Sequence, residues 1–163
     1  MAVHPRRLLV FLTTLALLLI SIGGVAAAPP QTETMHFKDE LATEEDVNPC
    51  TGVPGTLTTI SSGVIHITEF TEGKHAGEFH ITGTVTGRFE FVPDDPNEPS
   101  YTGRFTGWFG ANQNQQTFVA TDIFSVTGKG SDGSRLAFSA VAHVTLNANG
   151  EVTVEFEKAH CNV

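Results

Sequence analysis

"TGTVTGRF" (Thr82–Phe89) and "TGRFTGWF" (Thr102–Phe109) nearly repeat each other. Each sets glycine at every fourth position with a bulky apolar residue midway between. Around the first copy, Phe79, Ile81, Gly83, Val85, Gly87, Phe89 and Phe91 alternate with His80, Thr82, Thr84, Thr86, Arg88 and Glu90. A period of two with one polar side is a half-buried strand. The second copy sets Tyr101, Gly103, Phe105, Gly107 and Phe109 against Thr102, Arg104, Thr106 and Trp108. Glycine weakens a strand unless something uses its bare backbone. Antiparallel pairing with Val92 opposite Ser100 supplies that use. Phe89 then meets Gly103, Gly87 meets Phe105, Val85 meets Gly107 and Gly83 meets Phe109. Each bulky side chain can lie over its partner's backbone, and the sheet can bend strongly. The cost is Arg88 facing Arg104. A slip of two residues would set Glu90 against Arg104 but leave Gly87 facing Gly107. Exposed charge pairs contribute under about 1 kcal/mol, so packing selects the first register.

Outward from this hairpin the punctuation is regular. "SSG", "EGKHAG", "PDDPNEP", "ANQNQ", "GSDGS" and "NANG" separate runs rich in Thr, Val, Ile and Phe. The runs are about Thr56–Ile60, Val64–Phe70, Glu78–Val92, Ser100–Phe109, Thr117–Thr127, Arg135–Asn147 and Glu151–Ala159. Such spacing predicts an antiparallel meander. "NANG" suits a three-residue hairpin loop with Gly150 in the left-handed conformation. Gln31 to Asn48 is acidic, with six carboxylates against Lys38 alone. Within it "TETMHFKD" alternates like an edge strand, and the remainder reads as a connector.

The ends of the chain speak of export. Arg6 and Arg7, the apolar run "LLVFLTTLALLLISI" and the small residues of "GGVAAAPP" form a signal peptide, with cleavage expected between Ala27 and Ala28. Its removal takes the formal charge from −9 to −11. Lys38, Lys74, Arg88, Arg104, Lys129, Arg135 and Lys158 remain, scattered singly. Nucleic acids and anionic membranes need clustered cations, so neither is an expected partner. Cys50 and Cys161 read as a structural disulfide rather than a reactive thiol pair. That bridge would bring the first and last parts of the β region together. The expected organisation is a signal peptide over 1–27, an acidic segment over 28–49 and a β domain over 50–163. The expected fold is an all-β, single antiparallel meander barrel of seven to eight strands, closed to remove its edges, with a two-sheet β-sandwich as the alternative.

Sites are harder to read. His66, His80 and His143 sit mid-strand, and the first two could face each other on the polar side. No third ligand is evident, and neither HExxH nor a CxxC pair occurs, so no metal is expected. "PDDPNEP" groups oxygen ligands but matches no calcium loop, and its prolines fit a stiff connector. Glu69, Asp122 and Lys158 fall on apolar phases. A carboxylate or amine inside an apolar barrel could serve as acid, base or ligand anchor. With Tyr101, Phe105 and Phe124 they form the candidate lining of an interior site. No nucleophile motif or phosphate-cradling glycine loop is present, so no catalytic residue and no cofactor are assigned.

Taken together, "DVNPCTGVPGT", "TGRFTGWFG", "GKGSDGS" and "HVTLNANGEVTVEFEKAHC" resemble a family of small secreted bacterial all-β proteins. That resemblance implies no activity. The meander is similar in architecture alone to lipocalin-like and allene-oxide-cyclase-like barrels, and folds host many functions. The expected function is a secreted, non-enzymatic domain binding a small apolar ligand. A cyclase- or isomerase-type enzyme using an inward carboxylate, and an extracellular protein-interaction module with a patch near Trp108, are the alternatives.

Overall fold

The structure, a computed structural model, describes residues 29–162. The expected signal peptide lies outside them. Seven strands form one sheet in chain order, every neighbouring pair antiparallel. They are β1 (Gln31–Val47), β2 (Pro54–Phe70), β3 (Glu78–Pro93), β4 (Tyr101–Gln113), β5 (Thr117–Gly130), β6 (Arg135–Asn147) and β7 (Val152–Asn162). A 3-10 turn at Gly73–His75 is the one helical piece among the described residues.

The glycine-rich hairpin pairs in the register that packing selects. Phe89 faces Gly103, Gly87 faces Phe105, Val85 faces Gly107 and Gly83 faces Phe109, with Arg88 opposite Arg104. A Cβ at Gly103 would lie 2.7 Å from Phe89 Cε1, and one at Gly87 would lie 2.5 Å from Phe105 Cζ. Phe89 reaches further still, to within 2.9 Å of where a Cβ on Gly128 of β5 would stand. The rings therefore lie over glycines of neighbouring strands, where a side chain would meet both the ring and nearby backbone, that of Thr127 at Gly103 and of Ile60 at Gly87.

Only one sheet exists, yet Ile67 of β2, Phe89 of β3, Phe105 of β4, Ala120 of β5 and Ala140 of β6 are all buried on the same face. With no second layer to cover them, that face must be covered by the sheet coiling on itself. The disulfide marks one end of the coil. Cys50 sits in the β1–β2 turn, Cys161 sits on β7, and their Cα atoms are 5.6 Å apart. Cys50 packs against the buried cluster of Phe89, Phe91, Tyr101, Phe105 and Leu136.

The sheet does not close: β1 and β7 each pair on one side only among the described residues. Charge gives a reason. The edges that would have to meet carry Glu33, Asp39, Glu40, Glu44, Glu45 and Asp46 on β1 and Glu155 and Glu157 on β7, against Lys38 and Lys158. Like charges facing each other across a strand pair are destabilising. Charged edges also resist pairing with stray chains.

Two local expectations need correction. The acidic segment is no connector, because β1 runs through it as a 17-residue strand. It pairs with β2 from Gln31↔Glu69 to Val47↔Pro54, so backbone pairing overrides its composition. "SSG" is likewise no turn, and β2 runs unbroken through it. A bulge explains the second. A bulge between Phe37 and Glu40 sets Lys38 and Asp39 against Ser62 alone. Asp39 takes φ 54°, its backbone N–H donates to Ser62 Oγ at 2.9 Å, and Phe37 lies over Gly63. The serine-glycine stretch is the seat of the bulge. The turns elsewhere follow their motifs. Gly150 has φ 78°, and Asn147 and Glu151 close the last hairpin at 2.9 Å. In the NPCTG turn, buried Asn48 accepts from the Cys50 N–H at 2.9 Å.

Candidate functional site

The inner face can be followed row by row through the strand pairings. Leu57, Phe91, Tyr101 and Gly130 form a row near the disulfide end. Two rows further up, Ser61, Gly87, Phe105, Val126, Phe138 and Cys161 form another. The row holding Asp122 contains Ile65, Gly83, Phe109, Ala142 and Glu157. At the far end lie Glu69, Phe79, Gln113, Phe118 and Leu146.

The six candidate residues occupy four settings. Tyr101 and Phe105 belong to the buried cluster, and Phe124 packs against it, its ring centroid 5.6 Å from that of Phe105. These rings fill the disulfide end. Asp122 shares their face, one row beyond Phe124. Glu69 shares it too, at the far end. Lys158 lies on the opposite face, in register with Val141, Ile123 and Trp108, its Nζ 5.7 Å from the Phe156 ring centroid. A bulge at Thr153 is responsible: Leu146 pairs with Val152 while Thr145 pairs with Val154. One extra residue turns Val154, Phe156 and Lys158 outward and brings Glu155 and Glu157 to the inner face.

Asp122 is the polar group that stands out. Its carboxyl has no hydrogen bond or ion pair among the described residues, and burial alone pushes its pKa up. The lining is apolar on three sides, with Phe109 on β4, Ala142 on β6 and Phe124 along its own strand. Glu44, on the inner phase of β1 opposite Leu57, is also pushed up, by desolvation first and by Asp46 second.

The other candidates have local partners. His66 and His80 are diagonal on the outer face, each opposite a threonine. His66 shares a hydrogen bond with Thr34 at 3.0 Å and His80 one with Asn112. His143 bridges Thr121 at 2.8 Å and Thr145 at 3.2 Å and stacks on Phe156. Among the described residues no three His, Cys, Asp or Glu side chains group to hold a metal. In the β3–β4 loop, Asp95 accepts from the backbone and side chain of Asn97 at 2.9 and 2.8 Å, which holds its pKa below the usual carboxylate range. An open depression of about 550 Å³ borders the β5–β6 turn beside Lys129, Arg135 and Leu136, and none of the candidates lines it.

No family model, curated protein or solved structure matches the chain. Its function has to be read from its own residues. Two features escaped the sequence reading. One is Glu155 and Glu157 on the inner face, hidden by the Thr153 bulge. The other is the outward exposure of Val154 and Phe156 on β7, on the same outer face as Ile123 and Trp108 further into the sheet, each 40–47% exposed. The bulge hides that too, because it reverses the faces of β7. Among the described residues no helix is long and apolar enough to cross a membrane.

Proposed function

We propose that the chain is a secreted, non-enzymatic binding domain, and that its coiled sheet works as a barrel-like cup for a small apolar ligand carrying a cationic or hydrogen-donating group. The observation that carries this reading is the unpartnered Asp122 carboxyl, half-buried on an apolar face beyond the buried ring cluster. Small-molecule sites combine apolar walls with a few placed polar groups, and a strained carboxylate among such walls is a natural anchor. Beyond Asp122, Phe79, Ile81, Phe109 and Phe118 are only partly buried and so retain surface for a ligand. The disulfide and the acidic, scattered-charge composition fit an extracellular setting.

Native mass spectrometry of chain recovered from culture medium tests the reading. A bound small molecule should be retained by the intact protein and lost from Asp122→Asn. Retention by the variant would remove Asp122 from the site, and a uniformly empty protein that also rejects apolar cationic dyes would end the cup reading.

A further inference from the structure

The free edge of β7 is unlike the rest of the surface. On the outer face Val154 is 47% and Phe156 42% exposed. On the inner face the same strand presents Glu155 and Glu157, both exposed. The edge thus alternates acid and apolar residue by residue, with unpaired backbone between. An unpaired strand edge is a template for an added strand, with backbone hydrogen bonds giving affinity and alternate side chains giving specificity.

The alternation narrows the occupant. A second copy pairing its own β7 about a two-fold axis must set outer residues against outer and inner against inner. Centred on Glu155 or Glu157, that pairing puts a glutamate opposite itself. Centred on Phe156, it puts Glu155 opposite Glu157, and centred on Lys158 it puts two lysines together. Each middle register opposes like charges. The β1 edge of another copy is still more acidic, with six carboxylates against one lysine. Complementarity calls for a cationic strand.

We propose that the free edge of β7 takes an extended basic segment of another protein as an added strand, with cationic side chains at alternate positions facing Glu155 and Glu157 and apolar ones between them lying against Val154 and Phe156. The partner need not enter the cup, so this interaction stands apart from the ligand site.

The test uses the mature, disulfide-bonded chain and labelled peptides of about nine residues, the length of a strand. An alternating Lys–Val peptide should bind and weaken as salt rises from about 50 to 300 mM. An alternating Glu–Val peptide should not bind, nor should a block peptide of the same Lys–Val composition. Glu155→Lys with Glu157→Lys should lower affinity about tenfold or more, while Glu90→Lys, on the outer face of β3, should leave it unchanged. An alternating Lys–Val peptide N-methylated along its pairing edge reads the backbone contribution without altering the protein, and should fail to bind. Equal binding of the block or the N-methylated peptide overturns the proposal, as does unchanged affinity in a folded Glu155→Lys/Glu157→Lys chain. A concentration-dependent dimer that excludes the peptide would give the edge to a second copy and overturn it as well.

Discussion

Phe91 and Phe79 lie on the same face of β3, one at each end. Phe91 is 5% exposed and packs with Phe89, Tyr101, Phe105 and Leu136, whereas Phe79 is only partly buried and belongs to no such cluster. The strands, the pleat and the apolar character are common to both ends. What differs is how the rings find cover. Aromatic side chains cross glycines at both ends, Phe89 over Gly103 and Phe109 over Gly83, but near the disulfide the rings also pack on one another, and Cys50 draws the β1–β2 turn onto β7. At the far end Ile67 and the small Ala120 are buried, while the rings of Phe79, Phe109 and Phe118 keep part of their surface. The proposed ligand site lies at the less covered end, with Asp122 near the boundary.

The largest effect should come from releasing the packed end. Cys50→Ser with Cys161→Ser frees a loop spanning 111 residues and should cost about 4–5 kcal/mol on the loop-entropy scale. Denaturant melts read this as a lowered midpoint. A loss under about 1 kcal/mol would mean that the bridge does not hold the coil. Next, Phe105→Ala should cost about 3–5 kcal/mol and Phe118→Ala less than half of that, because the second ring already has solvent beside it. Equal losses would erase the distinction between the ends.

Smaller still is the glycine effect. Gly103→Val should cost about 1–3 kcal/mol or more, because its side chain would meet the β5 backbone at Thr127 and Gly128 as well as Phe89, while Thr86→Val on the outer face should stay within about 0.5 kcal/mol of the parent. The smallest effect is at Asp122. Its folded pKa is raised, so the native state holds the proton more tightly than the unfolded chain does. The stability linked to that proton is complete below the unfolded value near pH 4 and is lost as pH rises through the folded value. Asp122→Asn should abolish this dependence and leave the protein at neutral pH slightly more stable, by less than about 1 kcal/mol since solvent still screens the carboxyl. Melting curves over a pH series check the sign.

The centre of the sheet was legible in the sequence and its edges were not. β3 and β4 are paired on both sides, so every residue has a fixed neighbour and a strict period of two survives. Register could therefore be read from Phe89, Gly103, Gly87 and Phe105 alone. β1 and β7 are paired on one side, and each carries a bulge, at Lys38–Asp39 and at Thr153. A bulge inserts one residue and exchanges the faces beyond it. Hence Lys158 was expected inside beside Asp122 and stands outside, while Glu155 and Glu157 did the reverse. Edge closure failed for a related reason. Turn spacing says how strands follow one another, but whether the first meets the last depends on charges brought together only in the fold. Asp122 was legible because β5 pairs on both sides and keeps its phase.

The difference between the two ends can be measured directly. In the chain carrying carbon-13-labelled phenylalanine, titration with a small apolar amine should shift the ring signals of Phe79, Phe109 and Phe118 and leave those of Phe89, Phe91 and Phe105 in place. Shifts spread evenly over both sets, or confined to Phe156 on the outer face, would contradict an apolar cup at the far end of the sheet.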